Sequence, residues 1–412
     1  MSVNLNYDVL ILGAGPSGLS TALHLLQLDP LHAPSILVLD KARFPRPKLC
    51  AGGLVADAEI LLQRLGLDVS EVPHVDASAA HFDFEGKGLK IKIPKRHTLR
   101  VIRRDEFDNW LMRKTREAGI EIRESVLVKN VIPNQDDVTV ETDSGTYRAK
   151  IVVGADGSNG VTRKRVLPNA PVHTARVLEI LTPTESVIAR SASDEAISST
   201  ARGLLRVKEH RPRNDEQTRE GVAFFDFLPV PENIAGYLWD FPTQVNGQPM
   251  RCWGIYDTNL QADHARPPLK EPLAEEMARH GFDLGKYEIK GHPIRWFDPY
   301  DPLSVPRVIL VGDAAGADPL FGEGISIALG YGNLAAREIQ SALVQNDFLF
   351  TKYRQHVLTS PLGGTLIARW ALAYIAYTCK WKWFQILMWR ILKPVVILVA
   401  WVFVLNWGKR MR

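Results

Sequence analysis

Three glycines near the start of the chain have the spacing of a phosphate-binding turn. Gly13, Gly15 and Gly18, in Gly13-Ala14-Gly15-Pro16-Ser17-Gly18, fit G-x-G-x-x-G. In such a turn the first glycine makes a tight bend, the second lets the backbone approach a pyrophosphate, and the third lets helix pack on strand. Pro16 suits a first helical turn, where its missing N–H costs nothing, and Ser17 completes the turn. The N–H groups at the helix start then receive the phosphate charge. Asp40 stands 22 residues beyond Gly18, about where a carboxylate binds adenosine ribose hydroxyls and disfavours a 2′-phosphate. Lys41 beside it joins the candidate cofactor-binding set. The chemistry indicated is dinucleotide binding.

Two further glycine–aspartate pairs lie downstream. Asp156 and Gly157 end the apolar run Ile151 to Asp156, and Gly312 and Asp313 follow Val308 to Val311. The second pair leads into Asp318-Pro319-Leu320-Phe321-Gly322-Glu323-Gly324-Ile325 and a helix-like stretch to about Ile339. These resemble the DG and GD motifs of the para-hydroxybenzoate-hydroxylase-like flavoproteins, and Arg103 to Leu111 resembles their R-x-x-F-D-x-x-L segment. The resemblance implies FAD as the cofactor. It implies that Asp156 and Gly157 line the site and that Gly312 and Asp313 meet the ribityl chain. Arg104 would reach the cofactor, with Arg103 as its neighbour. The amides around Gly322, Gly324 and Ile325 would face the N1/C2=O edge of the flavin ring, where preorganised N–H groups stabilise negative charge.

Two local signatures narrow the branch. Phe44-Pro45-Arg46-Pro47-Lys48-Leu49-Cys50-Ala51-Gly52-Gly53-Leu54 resembles the F-P-R-x-K-x-C-G-G-G-L segment of the geranylgeranyl reductase family, and Tyr237-Leu238-Trp239-Asp240-Phe241-Pro242 its Y-x-W-x-F-P motif. The resemblance implies hydride transfer from reduced FAD, plus protonation, across isolated C=C bonds of an isoprenoid or prenyl-lipid chain. Cys50, Tyr237 and Trp239 are then the candidate catalytic residues, and Cys50, Ala51 and Gly52 pass beside the flavin. Proton donation, redox relay and simple packing all stay open for Cys50. Ala51 departs from the family, which has glycine there. An isolated alkene has no carbonyl to polarise, so the protein must grip it and supply a well-aimed acid. Other readings of the same motifs are a flavin monooxygenase acting on a lipophilic substrate, less readily a halogenase, and a membrane-tethered flavin redox carrier. With no second dinucleotide fingerprint, NADPH and ferredoxin are both open as electron donors.

These residues need a scaffold. The runs Tyr7 to Leu12 and Ser35 to Leu39 have strand length, and Leu19 to Leu28 is helix-forming. The expected fold is α/β, with a discontinuous Rossmann-type FAD-binding domain over 1–80, 98–168 and 290–345. A β-rich substrate domain is expected over 81–97 and 169–289, and a hydrophobic, helical C-terminus over 346–412.

At 412 residues, 46% hydrophobic and 23% charged, the chain is ordinary for a globular protein. Three scattered cysteines predict neither a disulfide framework nor a metal site. A core strand from Tyr7 onward predicts no signal peptide and a reducing, cytoplasmic setting. The net charge of +4 hides an asymmetry: after Asp347 there are ten basic residues and no acidic one, leaving 40 basic against 46 acidic in the body. That excludes a general nucleic-acid-binding surface and marks out the C-terminus. Six of the ten tryptophans fall there. Val395 to Trp407 is uncharged but 13 residues long, where a spanning helix needs about 20. The expectation is a peripheral or monotopic segment on the cytoplasmic face of a membrane, with a single C-terminal span, or a buried helix pair or oligomer contact, as alternatives.

Overall fold

The computed structural model of the chain describes residues 5–184, 219, 221–260 and 267–411. The stretches 185–218 and 261–266 of the expected β-rich region lie outside the described residues.

The first strand, Leu5–Leu12, ends in the apolar run Val9 to Leu12 because both of its faces are covered there: Val9, Leu10, Ile11 and Leu12 are all at most 1% exposed. It pairs in parallel with Ile36–Leu39 on one side and Thr146–Gly154 on the other. Glu121–Arg123 and Val308–Leu310 extend this parallel core outward, and Ser304–Val305 closes one edge antiparallel. Helices Pro16–Leu28 and Ile325–Gln345 pack together closely because Gly332 has no Cβ, which would lie 2.4 Å from Ser20 Oγ. Ser20 Oγ donates to Leu329 O at 3.0 Å across the same contact. This is the expected Rossmann-type half.

The second half is a seven-stranded sheet in the order Lys290–Arg295, Thr174–Pro183, Gln248–Asp257, Gly236–Val245, Val222–Asp226, Ala79–Phe84, Lys87–Ile91. The sequence reading assigned Lys290–Arg295 to the cofactor half; it is the edge strand here, paired with Thr174–Pro183. Side-chain alternation divides the sheet into two faces. Val177, Tyr237, Trp239, Phe241, Cys252 and Tyr256 share one buried cluster, while Ile180, Leu238, Trp253 and Ile255 pack the other face against helix Lys270–Arg279. A small sheet of Gly53–Leu54, Leu99–Ile102 and His74–Ala77 joins the halves.

The C-terminal region is helical, as expected. Pro361–Thr378 is followed by two arms, Lys382–Ile391 and Lys393–Arg410, which meet at 79°. Among the described residues no single helix is long and apolar enough to cross a membrane.

Candidate functional site

The glycine turn is built as its spacing requires. Gly13 has φ +114, and a Cβ there would lie 2.3 Å from Ala155 O; its N–H donates to Leu39 O at 2.7 Å. A Cβ on Gly18 would strike Gly13 O at 2.0 Å. Above Gly15 the space is open, and the nearest group is the Arg46 guanidinium, 4.0 Å from where a Cβ would point. Pro16 and Ser17 are buried in the first turn, which has no acidic residue and no side-chain cap. An uncapped helix start with an arginine aimed at it is an anion site.

Asp40 tightens the turn. Its carboxylate accepts from Ala14 N–H and Ala42 N–H, both at 2.8 Å. Lys41 next to it is exposed. Arg104 opens helix Arg104–Glu117 and makes a two-pronged contact with Asp108 at 2.7 and 2.9 Å. Burial works against the Arg104 charge, but Asp108 outweighs it and raises the pKa. Arg46 reaches the same Asp108 at 3.3 Å. Asp156 turns elsewhere: its carboxylate accepts from Thr162 N–H and Oγ at 2.8 and 2.9 Å, holding the start of the short helix Val161–Val166. Gly157, at φ +80, has open space around it.

The distal loop closes the cradle. Gly312, at φ +57, sits over Ser17 so closely that a Cβ would be 2.5 Å from Ser17 Oγ. Asp313 follows, within 3.4 Å of Ser158 Oγ and facing Gly324. Asp318 accepts from Leu320 N–H at 2.7 Å and Phe321 N–H at 3.2 Å. Gly322, at φ +65, lies against Tyr256. Helix Ile325–Gln345 then begins at Gly324 with no cap from that residue. Glu323 takes the Ser326 N–H at 2.8 Å, and the preceding N–H groups, those of Gly324 and Ile325, have no intrahelical partner.

Between the halves runs Phe44–Leu54. Gly52 has φ +78, and a Cβ there would overlap Ile102 O at 2.0 Å. Its N–H donates to Cys50 Sγ at 3.3 Å. Burial raises the Cys50 pKa, and Arg104 and the Gly52 N–H offset this only in part, so the group is a thiol at neutral pH. Ala51 packs at the margin of the aromatic cluster of the large sheet. Lys48 Nζ donates to His292 Nε2 at 2.7 Å. Burial, then the Lys48 charge, pulls the His292 pKa down to about 4, so this histidine is neutral.

Opposite the cradle stands the inner face of the seven-stranded sheet. Tyr237 Oη donates to Phe321 O at 2.6 Å, fixing the distal loop, and burial raises its pKa well above the ordinary value. Trp239 lies across Gly254, where a Cβ would meet the indole at 2.1 Å. Its Nε1 has no hydrogen-bond partner among the described residues. Phe225 sits 4.9 Å from Phe241 and 5.4 Å from Tyr237. One acid interrupts this face. Glu179 occupies the same row as Gly254 and Trp239 and shares the inward phase of Val177 and Leu181. It is 6% exposed, and its Oε2 has no partner among the described residues. Burial raises its pKa to about 7, against the smaller lowering effects of Arg103, the Cys50 backbone N–H and Lys290.

The structure thus brings together the glycine turn, Asp40, Arg104, Asp313, Cys50 and the 322–325 loop, with Tyr237 and Trp239 facing them. The site list drawn from sequence omitted Glu179, His292, Arg46 and Lys48. The last two were visible in the Phe44 to Leu54 signature. Among the described residues no cluster fit to hold a metal occurs.

Comparison with known proteins gives the same assignment. The profile of the FAD binding domain family matches residues 6–232. An uncharacterised protein of Methanosarcina barkeri is 27% identical over 358 residues, covering 85% of this chain and 80% of that protein. The menaquinone reductase of Mycolicibacterium smegmatis is 25% identical over 360 residues, covering 82% of this chain and 78% of that one. Among solved structures, a geranylgeranyl bacteriochlorophyll reductase-like protein from Thermoplasma acidophilum matches with a TM-score of 0.71 and 19% identity, over 99% of this chain and 96% of that one. The residues present fit FAD: open space beside Gly15, the Gly324 and Ile325 N–H groups at the second helix start, and Arg104, whose charge Asp108 sustains.

Proposed function

The chain belongs to the FAD binding domain family and is an FAD-dependent oxidoreductase; from that premise we propose that it saturates isolated C=C bonds of an isoprenoid chain. The observation that carries this reading is the inner sheet face: an aromatic wall opposite the cofactor cradle, broken by one buried carboxyl group, Glu179. An apolar wall suits a substrate without polar handles, and a neutral acid within it suits a reaction that needs a proton where water is excluded.

The cofactor, when reduced, supplies the hydride. The protein does the rest. Arg46, Arg104 and the helix starts at Pro16 and Ile325 would hold the cofactor's charged parts. Tyr237 fixes the loop beside it by donating to Phe321 O. Phe225, Phe241 and Trp239 grip the alkene and keep water from it. Glu179 gives its carboxyl proton to the second alkene carbon, directly or through the Cys50 thiol, and is reprotonated from solvent. Hydride and proton together add one dihydrogen to the double bond. The electron donor is NADPH or a ferredoxin.

Similar proteins carry the names of both reductases and monooxygenases, so the preference for reduction rests on Glu179 and the apolar wall around it. The test is anaerobic reoxidation of the dithionite-reduced flavoprotein. Reoxidation by geranylgeranyl diphosphate without oxygen supports the proposal. Reoxidation that waits for oxygen and consumes it together with the substrate overturns it in favour of a monooxygenase.

A further inference from the structure

We infer that the two C-terminal arms form a wedge that seats the protein in one leaflet of an anionic bilayer and leaves on the side it entered. The arms carry many large exposed apolar side chains within a short stretch of chain: Trp383 at 58%, Ile391 at 65%, Leu398 at 61%, Trp401 at 57% and Phe403 at 52%. So many exposed large apolar side chains in one segment mark an interaction site.

The exposed stretch from Ile391 to Phe403 is fixed to the body on both of its sides. Just before it, at the bend, Trp389 is buried and stacked 4.0 Å from Phe227, and Arg390 donates to Phe84 O at 2.6 Å. Just after it, near the end of the second arm, the Asp57 carboxylate accepts from Asn406 N–H at 3.0 Å and Gly408 N–H at 2.8 Å. Arg64 donates to the carbonyls of Lys409 and Met411, and Trp407 is fully buried. A segment pinned at both ends to one body, and bent by 79° between them, dips into a membrane and returns. As helix, the residues from Ile391 to Phe403 extend about 20 Å at most, short of a hydrocarbon core of about 30 Å.

Charge selects the occupant. Lys382, Lys409 and Arg410 are exposed beside the apolar face, and no acidic residue follows Asp347 in the chain. A second copy would bring the same positive charge against it, whereas anionic lipid headgroups complement it. The exposed tryptophans are the residue type enriched at membrane interfaces. The inference holds whatever the flavin reduces. Its corollary does rest on the prenyl-chain reading: Trp389 belongs to the same buried cluster as Tyr237 and Trp239, so a lipid chain leaving the leaflet meets apolar side chains up to the site.

The test is flotation of the purified full chain with phosphatidylcholine vesicles, with and without phosphatidylglycerol, beside a Trp401→Ser/Phe403→Ser variant. Both side chains are exposed, so flavin content and melting temperature should match the wild type. The expected result is flotation that is stronger with phosphatidylglycerol and is cut about tenfold or more in the variant. Brominated lipids should quench tryptophan fluorescence, and a C-terminal tag on the vesicle-bound protein should be open to external protease. Absence of flotation, undiminished flotation of the variant, or a protected tag would each overturn the inference. So would a vesicle-free oligomer that the variant abolishes, since the occupant is then a second copy.

Discussion

Arg369, on the helix Pro361–Thr378, reaches Asp318 of the distal cofactor loop at 2.7 Å, and both side chains are at most 2% exposed. The same guanidinium lies 3.5 Å from Glu323 and donates to Val404 O at 2.9 Å. One buried cation therefore ties the loop that faces the flavin to the second arm of the wedge. Asp318 in turn sets the loop through Leu320 and Phe321 N–H, so the C-terminal region is part of the cofactor site's support.

Removing that cation strands two buried carboxylates. Arg369→Met should cost about 3–5 kcal/mol of stability, the usual consequence of breaking a buried pair from one side, and should weaken FAD retention. Arg369→Met combined with Asp318→Asn should recover part of the loss. Thermal denaturation and flavin titration check both expectations.

Glu179 is the residue on which the proton step turns. Glu179→Gln should retain FAD and lose turnover by about 10²- to 10⁴-fold, the range for a general acid. The Glu179 pKa is raised to about 7, so the group is protonated below that value and charged above it. Wild-type turnover should fall as pH rises through about 7, and the residual activity of the variant should lack that limb. The linkage has the same sign. A carboxyl whose folded pKa lies above its unfolded one loses its stabilising contribution as pH rises through the folded value. Wild type should therefore lose stability relative to Glu179→Gln as pH rises from the ordinary glutamate range to about 7, and lose no more above it.

Adjacent small residues should respond oppositely. Gly52→Ala drives a Cβ into Ile102 O at φ +78 and should cost on the order of 1–3 kcal/mol or more, with loss of flavin. Ala51→Gly should leave folding and flavin content close to wild type, since Ala51 lies at the margin of the cluster. Flavin-to-protein absorbance ratios of the two purified variants decide the matter.

Cys50 should behave as a thiol. Its raised pKa predicts slow alkylation by iodoacetamide at pH 7 that accelerates at alkaline pH, because the thiolate is the nucleophile. Cys50→Ser should keep FAD, and its turnover separates the two routes from Glu179. A large loss means the proton passes through the thiol; a small loss means Glu179 acts directly.

The parallel core was legible in the sequence because a strand covered on both faces must be apolar throughout, as Val9 to Leu12 are. The glycine turn was legible because Gly13 and Gly18 each fill a position that a Cβ would close. Glu179 was not. Its strand alternates cleanly, but which phase faces the cofactor depends on pairing with Gly254, 75 residues further along. His292 was hidden for the same reason, since its partner Lys48 is brought to it only by the edge strand Lys290–Arg295. In the tail, composition disclosed the apolar surface and its basic flank. Arg390, a charge within the tail, turns inward to Phe84 O, which composition alone does not disclose. The return of the chain end to Asp57 leaves no local pattern, since capping by a residue 349 positions away is a property of the fold alone.

The most direct measurement is mass spectrometry of prenyl substrates after anaerobic incubation with the dithionite-reduced protein, run beside Glu179→Gln. The account expects a mass gain of one dihydrogen for each saturated double bond with wild type, and almost none with the variant under equal flavin loading. An unchanged prenyl chain with fully reduced, fully loaded wild-type protein would contradict it.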